Sequence, residues 1–332
     1  MRVIKKSTAV LCVLALMLTF FATSASALIL EEGNFGYELN TYSKYSILVR
    51  YTGSDSNVQI PNLYSNYPVK RITKSAFSGK SSITSIALPS AVSIFDDRAF
   101  MNCSGLTSVT VPSTITSWGT GVFINCSSVK TASISAATDK IPAYSFSGCS
   151  ALESVELNSA TITSIGDYAF QDCTSLTDLS FLNQVTSIGY SAFDGSGVTE
   201  LTIPEGVSEI PEYAFSNCLN LTRADIPRNV TYINANAFYN CPNVTLGVYD
   251  NSYALQFAVN NNIPYVIIDG YEKGDVNLSG NVDITDATLI QKYCARMITF
   301  TEQQLRLADV NNTGVVDVRC ATTIQRMIAG LI

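Results

Sequence analysis

Ala99-Phe100-Met101-Asn102-Cys103-Ser104-Gly105-Leu106-Thr107-Ser108-Val109-Thr110-Val111-Pro112 decides how this chain folds, because its pattern returns as Ala214-Phe215-Ser216-Asn217-Cys218-Leu219-Asn220-Leu221-Thr222-Arg223-Ala224-Asp225-Ile226-Pro227. The phenylalanine recurs at Phe77, Phe100, Phe123, Phe146, Phe170, Phe193, Phe215 and Phe238, in steps of 22 to 24 residues. Three positions later stands Cys103, Cys126, Cys149, Cys173, Cys218 or Cys241, with Lys80 and Ser196 in the other two copies. Five positions before it stands Ile72, Phe95, Trp118, Ile141, Ile165, Ile188, Ile210 or Ile233. The residues after the cysteine alternate apolar and polar as a short strand does, and a proline often follows, which ends the pairing because it cannot donate to a ladder. A unit of this length cannot bury its own apolar face. Eight stacked coils can, so the pattern predicts a solenoid of short parallel strands, turns and short helices.

These motifs resemble the BspA-like branch of the bacterial leucine-rich repeats, over roughly residues 36 to 268. The resemblance implies a leucine-rich-repeat solenoid with capped ends. Phe35 to Leu39 and Tyr45 to Tyr51 read as a strand pair over the first coil. Ser252 to Asn260 has helical spacing, and Ile263 to Ile267 reads as a closing strand. Such caps cover apolar core and unpaired edges that an open stack would expose.

A second, unrelated repeat closes the chain. Asp275-Val276-Asn277-Leu278-Ser279-Gly280-Asn281-Val282-Asp283-Ile284-Thr285-Asp286 is followed 34 positions on by Asp309-Val310-Asn311-Asn312-Thr313-Gly314-Val315-Val316-Asp317-Val318-Arg319-Cys320. Both place oxygen side chains at positions 1, 3, 5 and 9 and glycine at 6, the spacing that lets a hard cation such as Ca²⁺ collect oxygen ligands around a sharp turn. Loop 1 offers Asp275, Asn277, Ser279, the Asn281 carbonyl, Asp283 and a bidentate Asp286. Loop 2 offers Asp309, Asn311, Thr313, the Val315 carbonyl and Asp317, but position 12 is Cys320. A neutral thiol is a poor partner for a hard cation, so two unequal sites are expected, with loop 1 the tighter.

This duplicated loop–helix unit resembles a type I dockerin, the small all-α, EF-hand-like module that binds a cohesin on a scaffold protein. The resemblance implies that Ile284, Thr285, Gln291, Lys292 and Arg296 in the first copy, and Val318, Arg319, Gln325 and Arg326 in the second, meet the cohesin. Ile284 with Val318, Gln291 with Gln325 and Lys292 with Arg326 match across the copies, as a dual docking mode needs; Thr285 against Arg319 does not. The chain thus divides into a leader at 1–27, a repeat domain with caps at 28–270 and a dockerin at 271–332.

Arg2, Lys5 and Lys6 precede an apolar run from Ala9 to Ala22, and Ala25-Ser26-Ala27 supplies small residues for cleavage. This is the pattern of a secretory signal peptide, and the run is short against the roughly 20 residues of a bilayer span. A secreted protein attached to the cell surface or to a scaffold through cohesin is the expectation, with no membrane span after processing.

Eight cysteines lie beyond the leader, an even number that ordinarily suggests disulfides. Six of them share one repeat position, so their side chains point the same way from coils about 4.8 Å apart. A disulfide needs Cβ atoms converging to about 3.8 Å, which a parallel stack does not supply. A ladder of free thiols, donating weakly to the turn backbone, is expected instead. For Cys294 and Cys320 the sequence leaves pairing open.

Composition excludes much chemistry. The chain has no histidine, which removes imidazole bases, Ser-His and Cys-His pairs and most zinc sites. A net charge of −7 and the lack of a basic run argue against nucleic acid. The carboxylate pairs Asp96 with Asp97, Glu153 with Glu156 and Asp167 with Asp172 come with no recognisable electrophile or proton donor, so no catalytic residue is assigned. A polysaccharide-lyase-like solenoid and a purely structural spacer remain the alternatives to a binding or adhesion protein within a polysaccharide-degrading, cellulosome-like complex. The outward strand position carries Ala87, Thr110, Ser133, Glu156, Ser180, Thr202, Asp225 and Val248, hydroxyls first and acids later. Strand propensity alone explains most of that row, and it names neither a glycan nor a protein ligand.

Overall fold

The computed structural model describes residues 3–5, 28–159, 161–268 and 271–331. The apolar run and cleavage site of the leader fall outside these residues. Val3–Lys5 lies parallel to Ile29–Glu32, an edge pairing that cleavage after Ala27 would remove. Among the described residues no helix is long and apolar enough to cross a membrane.

Each coil of the repeat array but the fifth contributes two short strands, and the coils align in register at the repeat spacing. In one ladder Ser108–Val111, Thr131–Ile134 and Ser154–Leu157 run parallel, with Val109 opposite Ala132 and Ala132 opposite Val155. The second ladder holds the residue five before the phenylalanine, pairing Ile72 with Phe95, Phe95 with Trp118 and Ile141 with Ile165. Inward residues of both ladders, such as Val111, Ile134, Ile141 and Ile210, are fully buried.

Between the ladders the phenylalanines stack along the solenoid axis. Successive ring centroids from Phe77 to Phe238 are 5.1–5.8 Å apart with interplanar angles of 3–22°. That spacing, slightly longer than the strand separation, follows from tilting parallel rings on a parallel ladder. Tyr51 extends the stack into the first cap, 5.3 Å from Phe77.

The thiols form the expected ladder. Cys103, Cys126, Cys149, Cys173, Cys218 and Cys241 donate to the carbonyls of Phe77, Phe100, Phe123, Phe146, Phe193 and Phe215, one coil back, at 3.0–3.3 Å. All eight described cysteines are unpaired. Ser196 keeps the row continuous, its Oγ lying 3.3 Å from Cys218 Sγ. Burial pushes the Cys103 thiol up to about 11 and also raises Cys126, Cys149 and Cys173 well above the ordinary thiol value.

The residue before each of these cysteines has a left-handed backbone, at Asn102, Asn125, Gly148, Asp172, Asn217 and Asn240. Only glycine and short polar side chains adopt that conformation readily. It turns the chain from the buried phenylalanine back toward the strand.

Coil five departs from the pattern. Where its neighbours have a strand, Ser180–Gln184 is a 3₁₀ helix. Asp178 starts it by accepting from Ser180 N and Oγ, both at 2.8 Å, a local turn bond that competes with the ladder. Leu179 and Leu182 remain buried, so the core is continuous although the ladder is not.

The caps are as the sequence reads. Phe35–Asn40 and Tyr45–Tyr51 are antiparallel, and Tyr45–Tyr51 then pairs in parallel with Tyr67–Ile72. At the far end helix α1, Tyr253–Asn260, is capped by Ser252 Oγ on Leu255 N, and Tyr265–Ile267 closes the ladder against Thr245–Val248. The C-terminal module has three helices, α2 (Ile284–Cys294), α3 (Glu302–Ala308) and α4 (Val318–Ile328). Its own small core joins Val276, Ala287, Ile290, Ala308, Cys320, Ala321 and Ile324.

Candidate functional site

The two C-terminal loops fold alike where their sequences agree. In loop 1, Asp275 is fully buried and its carboxylate accepts from Ser279 N at 2.9 Å and Gly280 N at 2.7 Å. In loop 2, Asp309 accepts from Thr313 N at 2.9 Å and Gly314 N at 2.8 Å. The first ligand position is thus tied to the sharp turn that the glycine permits, with φ of 90° at Gly280 and 74° at Gly314. These backbone donors hold the Asp309 carboxyl below the usual carboxylate range. Asp283 and Asp317 cap α2 and α4 through Thr285 N and Arg319 N.

The loops part at position 12. Asp286, fully buried, accepts from Asn277 N and Asp283 N, both at 2.8 Å, and so straps the loop to the first turn of α2. Cys320 is also fully buried, but among the described residues its Sγ has as hydrogen-bond partners only Val315 O at 3.8 Å and Asn311 Nδ2 at 3.6 Å. Asn311 Oδ1 accepts from Thr323 Oγ1 at 2.8 Å, and the Asp317 carboxylate is paired with Arg319 at 2.5 Å. Two prospective oxygen donors of loop 2 therefore already have partners.

Loop 1 fits a hard cation through Asp275, Asn277, Ser279, the Asn281 carbonyl, Asp283 and Asp286. Among the described residues no group of three or more His, Cys, Asp or Glu side chains gathers to hold a metal by itself. The amide, hydroxyl and carbonyl oxygens of the loop would have to share the coordination. Loop 2 fits less well, because it lacks the last carboxylate and turns a sulfur inward.

All nine residues expected to face a cohesin are exposed: Ile284, Thr285, Gln291, Lys292 and Arg296 on the first copy, Val318, Arg319, Gln325 and Arg326 on the second. Ile284 and Val318 are 57% and 60% exposed, unusual for β-branched apolar residues at the start of a helix. Connecting helix α3 is absent from the sequence reading, although Thr301 and Gln304 announce it. They form a reciprocal capping box, Thr301 Oγ1 accepting from Gln304 N and Gln304 Oε1 from Thr301 N.

In the repeat array the carboxylate pairs serve the stack. Asp96 pairs with Arg71 at 3.0 Å, Asp97 and Asp167 accept from Thr120 N and Tyr190 N of the next coil, and Glu153 lies 3.7 Å from Lys130. Burial beside Asp194 raises Asp172 above the usual range.

Six copies described as the BspA type leucine rich repeat region match residues 70–163 and 139–256, and the type I dockerin domain matches 273–329. No curated protein matches the chain. Among solved structures, a leucine rich cell surface protein of Faecalibacterium prausnitzii is 23% identical, with a TM-score of 0.48, over 68% of this chain and 77% of that one. A leucine-rich repeat protein of Bacteroides ovatus is 22% identical, with a TM-score of 0.43, over 65% of this chain and 70% of that one. The matched repeats span more than half of the residues, and the chain belongs to the BspA-type leucine-rich-repeat proteins, with a type I dockerin domain at its C-terminus.

Proposed function

We propose that this is a secreted, non-catalytic binding protein that joins a cellulosome-like complex by calcium-dependent docking to a cohesin, while its repeat array holds a glycan or protein ligand. The observation that carries the reading is the duplicated loop–helix unit, whose first copy offers a full set of oxygen donors and whose two helices both present exposed residues at the docking positions. Calcium at loop 1 would draw Asp275, Asn277, Ser279, Asp283 and Asp286 together and so fix the start of α2. A module with so small a core gains a large part of its stability from such a metal. The second loop would bind calcium more weakly, for want of a carboxylate at Cys320.

The test is capture of the full chain on immobilised cohesin modules, with calcium and with a chelator. Retention in calcium and release by the chelator support the reading. Equal retention in both, or none on any cohesin, removes it. Reducing-sugar release by the full chain from plant polysaccharides would contradict the non-catalytic part.

A further inference from the structure

A groove of about 490 Å³ lies over the last coils of the strand ladder, bordered by Leu179, Glu200, Thr202, Arg223, Asp225 and Tyr249. Its size falls in the range of small-molecule sites, about 300–1,000 Å³. One wall is the 3₁₀ turn Ser180–Gln184, which stands where the ladder is interrupted.

Strand register sets the floor. Glu200 lies opposite Arg223, Thr202 opposite Asp225, and Asp225 opposite Gly247. Arg223 Nε donates to Asp225 Oδ1 at 2.7 Å, and both side chains are half-buried, so a guanidinium and a carboxylate are fixed side by side. A Cβ at Gly247 would fall 1.9 Å from Asp225 Oδ1, so the carboxylate depends on that bare strand for its position. On the far side the Tyr249 ring is held by the Arg228 guanidinium, 4.7 Å from its centroid.

The charges narrow the ligand. Asp178, Glu200, Glu205 and Asp225 surround the groove, which disfavours an anion such as a uronate or a phosphate. Arg223 in the floor is paired with Asp225 and keeps further N–H donors that an ammonium group, having no acceptor, cannot satisfy. What suits both is a neutral group that donates to the carboxylates and accepts from the guanidinium at once, and a sugar hydroxyl does this. The half-buried Tyr249 ring adds apolar surface for the C–H faces of the sugar. We infer that this groove binds a short neutral oligosaccharide, an assignment that rests on the proposed binding role of the repeat array and names its ligand class.

The experiment is calorimetry on the full chain with hexasaccharides of glucose, xylose, mannose and galactose, and with oligogalacturonate and oligolysine as charged comparators. At least one neutral hexasaccharide is expected to bind and the charged probes are not. Thr202→Arg, which fills the groove from an outward position, and Asp225→Asn should each weaken binding at least tenfold. Tyr144→Ala, at an exposed tyrosine outside the groove lining, should leave it unchanged. Unaltered unfolding midpoints show that the variants are folded; if Asp225→Asn is not, the exposed Glu200→Gln takes its place, with at least a threefold loss expected. Absence of neutral binding, binding to oligolysine alone, or full affinity in Thr202→Arg overturns the assignment. Retention of a protein ligand, or of a glycan insensitive to the groove variants, would overturn the groove while leaving the binding role of the array standing.

Discussion

Asp286 and Cys320 occupy equivalent places 34 residues apart, both fully buried, yet Asp286 accepts two backbone N–H groups while Cys320 has only long sulfur contacts. A carboxylate at that place closes the loop and completes a hard-cation site; a thiol does neither well. Calorimetry with Ca²⁺ should therefore resolve one tighter and one weaker event. Cys320→Asp should raise the weaker affinity at least tenfold, and Asp286→Ala should remove the tighter event. Two equal sites in the unaltered chain would show that the sulfur is no handicap.

The phenylalanine stack makes a size-ordered prediction. Phe146 is fully buried between Phe123 and Phe170, so Phe146→Ala should cost about 3–5 kcal/mol from lost transfer energy and the cavity left behind. Phe238, 6% exposed and the last phenylalanine of the stack, should cost distinctly less when truncated. Urea unfolding of the two variants, with m compared as well as midpoint, decides this.

The thiol ladder predicts how stability changes in alkali. Burial raises the native Cys103 thiol from 9.0 to about 11, so between those values the unfolded chain has released a proton that the native chain keeps. Stability contributed by such a group is complete below pH 9 and falls as pH rises toward the native value. Unfolding midpoints should drop between pH 9 and 11, and Cys103→Ser, which copies the natural Ser196, should make the drop shallower. A midpoint indifferent to pH over that interval would mean that the thiols ionise freely in the folded array.

Much of this fold was legible because the repeat is periodic. The phenylalanine, the cysteine and the residue five before the phenylalanine each map to one structural role, and the free-thiol ladder followed from parallel geometry. The 3₁₀ turn at Ser180–Gln184 was less visible, because Asp178 acts through a local bond to Ser180 that strand alternation does not encode. The left-handed residue before each cysteine did leave a trace: in the six cysteine-bearing coils it is always Asn, Asp or Gly. Helix α3 was signalled by Thr301 and Gln304, and the groove became visible only once the strand register brought Thr202 beside Asp225.

The matched faces of α2 and α4 bear on docking mode. Lys292 and Arg326 are both exposed and stand 34 positions apart, so a module able to dock by either helix should tolerate Lys292→Glu or Arg326→Glu singly and lose binding severely only when both are changed. A severe loss from one single change would assign the interface to that helix. Surface plasmon resonance against one cohesin separates these outcomes.

Capture of the full chain on cohesin, compared with its Asp275→Ala/Asp286→Ala variant in calcium, tests the central claim most directly. The account predicts tight, chelator-sensitive retention of the unaltered chain and at least a hundredfold loss in the variant, with the unfolding midpoint of the repeat array unchanged. Equal retention of the two proteins, with or without chelator, would contradict it.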